Sequence, residues 1–159
     1  IWTERPALPA EPVVVHRAEF VSETAAEKPS FRSAFKARRG LMVLDGYYEW
    51  KQTENGNQPY FVRPKDGMLY AAALWETGLD RLSTTMVTTE ATENMAWLHH
   101  RLPLFLREDE IRTWVDGTPD EALELVHPSR VAETLVWNEA AQEVGNTRND
   151  YAELMGDAR

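Results

Sequence analysis

Three polar turn signals divide the middle of the chain into short runs that are rich in β-branched and aromatic residues. The signals are Asp45-Gly46, Asn55-Gly56-Asn57 and Pro64-Lys65-Asp66-Gly67, which combine the residue types that favour tight turns. We therefore predict strands at 41–44, 47–52, 59–63, 68–75 and 84–89. The run at 68–75 is apolar almost throughout, and this predicts a strand that is buried on both faces.

Helix signals lie on both sides of this strand-rich part. Pro29 suits the first turn of a helix that we predict to end at Gly40, and Thr118 is a good N-cap for a helix that starts at Pro119. The predicted helices are 29–39, 92–98, 108–115 and 119–126, and a last strand is predicted at 134–137. Grouped strands with helices at intervals predict an α+β fold around an antiparallel sheet. The 159 residues suit one domain with a sizeable core.

The composition is that of an ordinary globular protein, with 43% hydrophobic and 27% charged residues. No stretch approaches the roughly 18 apolar residues that span a bilayer, and we expect no membrane partner. The N-terminus has neither the basic segment nor the apolar core of a secretory signal. The sequence contains no Cys, which excludes disulfides and thiolate chemistry within it. These features suit the cytoplasm of a bacterium.

The charge is distributed unevenly along the chain. Residues 108–159 carry 4 Lys and Arg against 13 Asp and Glu, whereas residues 1–107 carry 13 of each, so the acidic part accounts for the net charge of −9. Such a surface repels phosphates, and composition alone argues against nucleic-acid binding. The neutral part does contain a basic cluster at Lys36, Arg38 and Arg39.

A carboxylate is placed among aromatic residues in the predicted strand at 47–52. Strand alternation puts Tyr48 and Trp50 on one face, and Tyr47 and Glu49 on the other. A carboxylate that is crowded by rings loses part of its hydration, which favours general acid–base chemistry. The alternative is a strand-edge Glu that simply reaches water.

His99 is the second candidate for chemistry. A single His is more often structural than catalytic, but together with Glu49 it could perform general acid–base chemistry near neutral pH. The adjacent His99 and His100 make a poor metal site, because no carboxylates follow at ligand spacing. We predict no metal and no cofactor.

An ordered series of motifs surrounds these two candidates. It comprises Glu27-Lys28-Pro29-Ser30-Phe31-Arg32, Asp45-Gly46-Tyr47-Tyr48-Glu49-Trp50, Gln58-Pro59-Tyr60-Phe61, Ala73-Leu74-Trp75-Glu76, Thr88-Thr89-Glu90-Ala91, the group His99, Arg101, Leu102 and Pro103, and Arg148-Asn149-Asp150. Each motif is weakly specific, but their order and spacing resemble the SOS-response-associated peptidase (SRAP) family over about 19–150. The resemblance implies a barrel-like, mostly antiparallel β-sheet core flanked by helices.

The same resemblance implies a role in the SOS response and DNA repair. Members of the family act on abasic sites in single-stranded DNA, where an N-terminal Cys closes a thiazolidine with the sugar aldehyde and crosslinks the protein to DNA. The peptidase name refers to the removal of the N-terminus. The resemblance gives Glu49 and His99 the catalytic positions and places Thr88 and Glu19 in the same pocket. It also implies that the protein is associated with the bacterial nucleoid when bound to DNA.

The chain departs from the family at its nucleophile and at an Asn motif. It has no Cys, and Glu19 and Val21 stand where the family has Asn and Arg. Either the sequence lacks the N-terminal portion of a typical member, since it begins at Ile1, or it is a divergent member. A divergent member would bind single-stranded DNA or a partner without crosslinking. A third hypothesis is a peptide hydrolase that uses Glu49 and His99.

Candidate DNA contacts follow from charge and aromatic character. Phosphate contacts are predicted at Arg17, Lys36, Arg38, Arg39 and Arg101, and base stacking is predicted at Trp2 and Tyr47. The alternative for Arg38 and Arg39 is the ordinary cationic end of a helix. Four of the six Trp fall in predicted elements and are assigned to packing: Trp75, Trp97, Trp114 and Trp137. The oligomeric state is not predicted.

Overall fold

The structure is a computed structural model that describes residues 14–15, 20–21, 29–78 and 81–156. The strands of this part are Val14–Val15 (β1), Phe20–Val21 (β2), Arg39–Leu44 (β3), Tyr47–Thr53 (β4), Gly56–Pro64 (β5), Leu69–Gly78 (β6), Arg81–Glu90 (β7), Arg101–Pro103 (β8), Phe105–Leu106 (β9) and Leu135–Glu139 (β10). The α-helices are Pro29–Ala37 (α1), Ile111–Asp116 (α2) and Pro119–Glu124 (α3). Within the same described ranges, 3₁₀-helices lie at Arg130–Thr134, Gln142–Gly145 and Ala152–Met155.

The strands form two sheets. In the larger sheet, β3, β6 and β7 are antiparallel neighbours, β8 and β9 add antiparallel pairs, and β1 and β2 pair with β7 in parallel. The smaller sheet is antiparallel, in the order β10, β5, β4. The predicted α+β fold with a mostly antiparallel core is confirmed. Within the described ranges the sheets stay separate, so "barrel-like" applies only loosely.

The three predicted turns join consecutive strands. The backbone torsion φ is 112° at Gly56 and 75° at Gly67, a region that favours glycine. Gly46 is required for space, because a Cβ there would lie 2.5 Å from a ring carbon of Phe61 and 2.7 Å from the Val62 carbonyl oxygen. The turn signals therefore set the register of β4 against β5, which decides what faces Glu49.

Strand β6 separates two hydrophobic cores, as its apolar run predicted. Ala72 and Leu74 face a core that includes Phe35 of α1 and Trp114 of α2. The other face of β6 packs into a core with the smaller sheet and with residues 91–100, through side chains that include Leu69, Ala71, Val62, Leu98 and Leu135. The molecule is thus layered, with helices on one face of the larger sheet and the smaller sheet on the other.

Arg39 belongs to the helical layer of the fold. Helix α1 ends at Ala37, two residues earlier than predicted, and Arg39 starts β3 with 8% of its surface exposed. Its guanidinium donates to the carbonyl oxygens of Phe35 at 2.6 Å and Trp114 at 2.5 Å, and also to that of Gly117. These bonds engage the buried guanidinium within the fold, and this arrangement does not favour the predicted phosphate contact at Arg39.

The helix predicted at 92–98 is wrong. This segment forms successive turns, in which the amides of Met95 and Ala96 both donate to the Thr92 carbonyl and the amide of Leu98 donates to that of Met95. Met95 and Leu98 are buried and hold the segment against the second core. Tertiary packing therefore outweighs the helical spacing of its apolar residues.

The helices after residue 107 agree better with the sequence. Helix α2 begins at Ile111 and not at residue 108, because the Glu110 carboxylate accepts from the Arg107 amide at 2.9 Å and closes a turn first. Helix α3 has the predicted N-cap, in which Thr118 accepts from the Glu121 amide at 3.3 Å and donates its own amide to the Glu121 carboxylate at 2.7 Å.

Candidate active site

Glu49 lies in the middle of β4, on the face that is turned towards the larger sheet. Tyr47 and Glu49 pair with Val62 and Tyr60 of β5, and paired residues of antiparallel strands share a face. Val62 is completely buried in the second core, which fixes the direction of this face. Glu49 itself is half-buried, and its Oε1 accepts from the Trp50 amide at 3.1 Å.

The segment 91–100 packs over the same face of β4. The Trp97 ring meets the Tyr60 ring edge-on, with 5.1 Å between their centroids, and Tyr60 is directly opposite Glu49. The ammonium of Lys51, two residues after Glu49, lies 4.6 Å from the Trp97 ring centroid. These contacts bring the segment that carries His99 onto the face that carries Glu49.

The imidazole of His99 is held by the backbone of Arg101. The Arg101 amide lies 3.1 Å from Nδ1 and donates to it in the tautomer that carries the ring proton on Nε2. The Arg101 carbonyl oxygen lies 3.0 Å from the same nitrogen, so a protonated ring can donate there. The His100 ring is 4.4 Å away, centroid to centroid. The backbone of Arg101 therefore fixes the orientation of the His99 ring.

Arg101 ties the His99 segment to the larger sheet. Its Nη2 donates to the Thr88 carbonyl at 2.8 Å and reaches the Thr88 hydroxyl at 3.4 Å. Thr88 follows Met86 by two residues on β7, and Met86 packs against the second core, so Thr88 faces the same side. The predicted residues Thr88, His99 and Arg101 are thus brought together. A cavity of about 350 Å³ beside them is lined by Glu90, Ala91, Ala96, His100 and Arg101.

The predicted basic cluster lies elsewhere. Lys36 and Arg38 are on α1 and just after it, and α1 packs on the opposite face of the larger sheet. Lys36 is exposed, whereas Arg38 pairs with the Glu76 carboxylate at 2.5 Å and donates to the Trp75 carbonyl. Of the predicted phosphate contacts that the structure describes, Lys36 and Arg38 therefore lie on a different face from Arg101.

The Tyr47 side chain is packed inside the protein and is not exposed for stacking on a DNA base. Its ring packs against Phe105 with 5.8 Å between centroids, and its hydroxyl is buried. Burial raises the pKa of the Tyr47 hydroxyl, and the negative charge of Glu49 raises it further. The hydroxyl is therefore a proton donor throughout the physiological range.

Two neighbours of Glu49 were missed from the sequence, and the predictions for the Trp residues had mixed outcomes. Tyr60 and Lys51 were not predicted to be near the site, because their position depends on the β4–β5 register and on the turns of 91–100. Trp137 was assigned to packing and its ring lies 5.4 Å from that of Trp97, centroid to centroid, although 39% of it is exposed; Trp75, also assigned to packing, is 38% exposed. Trp114 is completely buried, as predicted.

Three predicted site residues, Trp2, Arg17 and Glu19, lie outside the described residues. Among the residues that are described, no group of three or more His, Asp or Glu side chains could hold a metal ion. In the same part of the chain, no helix is long and apolar enough to cross a membrane.

The fold and the site define an α+β protein with a carboxylate and an imidazole on facing elements between two sheets. The family model described as "SOS response associated peptidase (SRAP)" matches residues 5–147. The chain belongs to this family.

The chain is similar to several curated relatives. It is 30% identical to abasic site processing protein HMCES of Xenopus tropicalis, over 84% of this chain and 48% of that protein. It is also 30% identical to abasic site processing protein YedK of Escherichia coli, over 84% of this chain and 64% of that protein. The chain thus spans about half to two thirds of the length of these relatives.

The fold is also shared with solved structures. A protein from Bacteroides thetaiotaomicron superposes with a TM-score of 0.78 and 22% sequence identity, over 89% of this chain and 66% of that chain. A protein from Bordetella bronchiseptica gives a TM-score of 0.68, also at 22% identity, over 77% of this chain and 64% of that chain.

Proposed function

We propose that the protein recognises abasic sites in single-stranded DNA and that Glu49 and His99 carry out proton transfer on the exposed sugar. The observation that carries the proposal is the packing of the segment 91–100 over Glu49, through Trp97, Tyr60 and Lys51. The names of the curated relatives, which are abasic site processing proteins, support the same substrate.

Opening of an abasic sugar needs an acid and a base together. The cyclic form becomes an aldehyde when the anomeric hydroxyl loses a proton and the ring oxygen gains one. Glu49 is an acceptor on one side of the site, and His99 is a donor on the other in the tautomer that carries its proton on Nε2. A carboxylate and an imidazole on facing elements match this requirement.

Arg101 is the phosphate contact that we propose for the site. Its guanidinium is oriented by Thr88, and it lines the cavity beside His99. A positive charge there attracts the DNA backbone, while Glu90 in the same cavity reduces the local charge. Lys36 and Arg38 lie on the helical face of the larger sheet. A DNA strand that contacted both Arg101 and these two residues would have to pass around that sheet.

Covalent crosslinking to DNA is the part of the family's chemistry that these residues do not supply by themselves. It requires a thiol next to a free amine, and the 159 residues contain no Cys. For these residues we therefore propose recognition and proton transfer, and the crosslink and the removal of an N-terminus are proposed only for a protein that also carries the N-terminal Cys. The absence of Cys favours noncovalent binding of single-stranded DNA as the second candidate function.

Equilibrium binding to fluorescent oligonucleotides tests the proposal. The protein should bind a single strand with one abasic site more tightly than the same strand with an intact base, and more tightly than the duplex. Equal affinity for the abasic and intact strands would support the second candidate. Absence of binding to all three would overturn both.

A further inference from the structure

We propose that Tyr47 is a positioning residue for Glu49, and that its hydroxyl donates a hydrogen bond to the Glu49 carboxylate when this turns away from the Trp50 amide. The inference rests on the proposed function, because it concerns how the acceptor of the site is held. It assigns to Tyr47 a role different from the base stacking predicted from sequence.

The hydroxyl of Tyr47 is buried and has no hydrogen-bond partner among the described residues. Buried hydroxyl groups in native structures are almost always paired, because leaving one unpaired is costly. The ring is packed against Phe105, so the hydroxyl cannot swing out to water without disturbing the core. An acceptor must therefore come to the hydroxyl.

The Glu49 carboxylate is the hydrogen-bond acceptor that we infer for the Tyr47 hydroxyl. It follows Tyr47 by two residues on the same face of β4, a separation of about 7 Å along a strand. The charge of Glu49 already acts on the Tyr47 hydroxyl. One oxygen of the carboxylate accepts from the neighbouring Trp50 amide at 3.1 Å, and the other staggered rotamers of Glu49 direct the carboxylate away from that amide.

The other polar groups that face Glu49 have partners of their own. On β5, burial raises the pKa of the Tyr60 hydroxyl, and the charge of Glu139 on β10 and a hydrogen bond to its carboxylate raise it further. On β4, the Lys51 ammonium lies over the Trp97 ring. His99, on the segment above, is held through Nδ1 by Arg101. The unpaired Tyr47 hydroxyl is therefore the best donor for a turned Glu49 carboxylate.

Tyr47→Phe removes the hydroxyl and keeps the ring, and Tyr48→Phe is a matched control. Tyr48 is the next residue, on the opposite face of β4, with its ring 5.3 Å from Phe61. Both changes should be made in the full-length protein. The readouts are the thermal midpoint, the NMR titration of the Glu49 side-chain carboxyl carbon, and abasic-strand conversion. This conversion is the opening of the abasic sugar to its aldehyde, and both its rate and its pH profile are measured.

In Tyr47→Phe we expect little change in the thermal midpoint, because the Glu49 carboxylate can return to the Trp50 amide when the hydroxyl is removed, and no buried group is then left unpaired. The Glu49 titration and the acidic limb of the rate profile should both move to higher pH, because a hydrogen bond to a carboxylate favours its charged form. The rate near neutral pH should fall about tenfold. Tyr48→Phe should match the unchanged protein in every readout.

An identical Glu49 titration in Tyr47→Phe and the unchanged protein would overturn the inference, whatever the activity. A lower thermal midpoint with an unshifted titration would show that the hydroxyl is structural, and would also overturn it. If the unchanged protein does not act on abasic strands at all, the proposed function fails, while the NMR titration still decides whether Tyr47 holds Glu49.

Discussion

Glu49 and Arg39 show how the same kind of sequence signal can lead to different outcomes for single residues. Each is a charged strand residue that was proposed from the sequence as a functional residue, Glu49 between two aromatic residues and Arg39 in a basic cluster. Glu49 faces a half-buried space shared with the segment 91–100, whereas the donors of Arg39 are taken up by backbone carbonyls of α1 and of the end of α2. The difference comes from three-dimensional neighbours, which strand alternation alone does not identify.

Glu49→Gln should abolish proton transfer without disturbing the fold. The amide keeps the size of the side chain but removes the base, and general acid–base residues typically contribute 10²–10⁴-fold to rate. We expect a fall of at least about a hundredfold in abasic-strand conversion under single-turnover conditions. Glu54→Gln, at an exposed turn position, is the control and should retain full activity. Normal conversion by Glu49→Gln would remove Glu49 from the mechanism.

Arg39→Met should destabilise the protein, whereas Arg38→Met should hardly do so. Removing the Arg39 guanidinium leaves buried carbonyl oxygens unpaired, at a cost of about 2–4 kcal/mol in the free energy of unfolding. Arg38 makes an ion pair with the exposed Glu76, and such pairs contribute about 1 kcal/mol or less. Urea denaturation of both variants measures the difference, and equal losses would contradict the assignment of Arg39 to the fold.

At the scale of elements, local signals were reliable where the chain itself supplies the partners. The turns, the N-cap of α3 and the buried strand β6 depend on neighbouring residues or on uninterrupted apolar character, and all were predicted. The segment 92–98 was mistaken for a helix because its apolar spacing is helical, while Met95 and Leu98 are held by a core that the sequence does not display. The pairing of β1 and β2 with β7 is equally non-local.

The capping box of α3 should make its stability depend on pH. Hydrogen bonds from Thr118 hold the pKa of Glu121 below its ordinary value. The contribution is therefore fully present above the pKa of the unfolded chain and is lost as pH falls through the lower value of the folded state. Between neutral pH and pH about 3, Glu121→Gln should lose less stability than the unchanged protein. Urea titrations at several pH values measure this, with Glu124→Gln of the same helix as control.

At the scale of the whole molecule, two cores share one strand. The helical layer and the smaller sheet pack on opposite faces of β6, and the site lies on the side of the smaller sheet. The sequence indicated a strand buried on both faces, but it could not show which elements would cover each face. That placement separates Glu49 and His99 from the basic residues of α1, although all of them belong to the motifs that identify the family.

Because β6 is common to both cores, we expect the layers to unfold together. Trp114 reports on the helical layer, and Trp97 reports on the side of the smaller sheet. Variants in which each is in turn replaced by Phe should give coincident fluorescence and circular-dichroism transitions in urea. Two separate transitions would show that the layers are independent units.

The central claim is that Glu49 and His99 act together on one substrate, and a double-mutant cycle tests it most directly. Rates of abasic-strand conversion would be compared for the full-length protein, Glu49→Gln, His99→Asn and the double variant. Residues that act as a unit give strongly non-additive effects, so the double variant should be about as slow as the slower single variant. Two losses that simply multiply, or no loss in either single variant, would contradict a shared site.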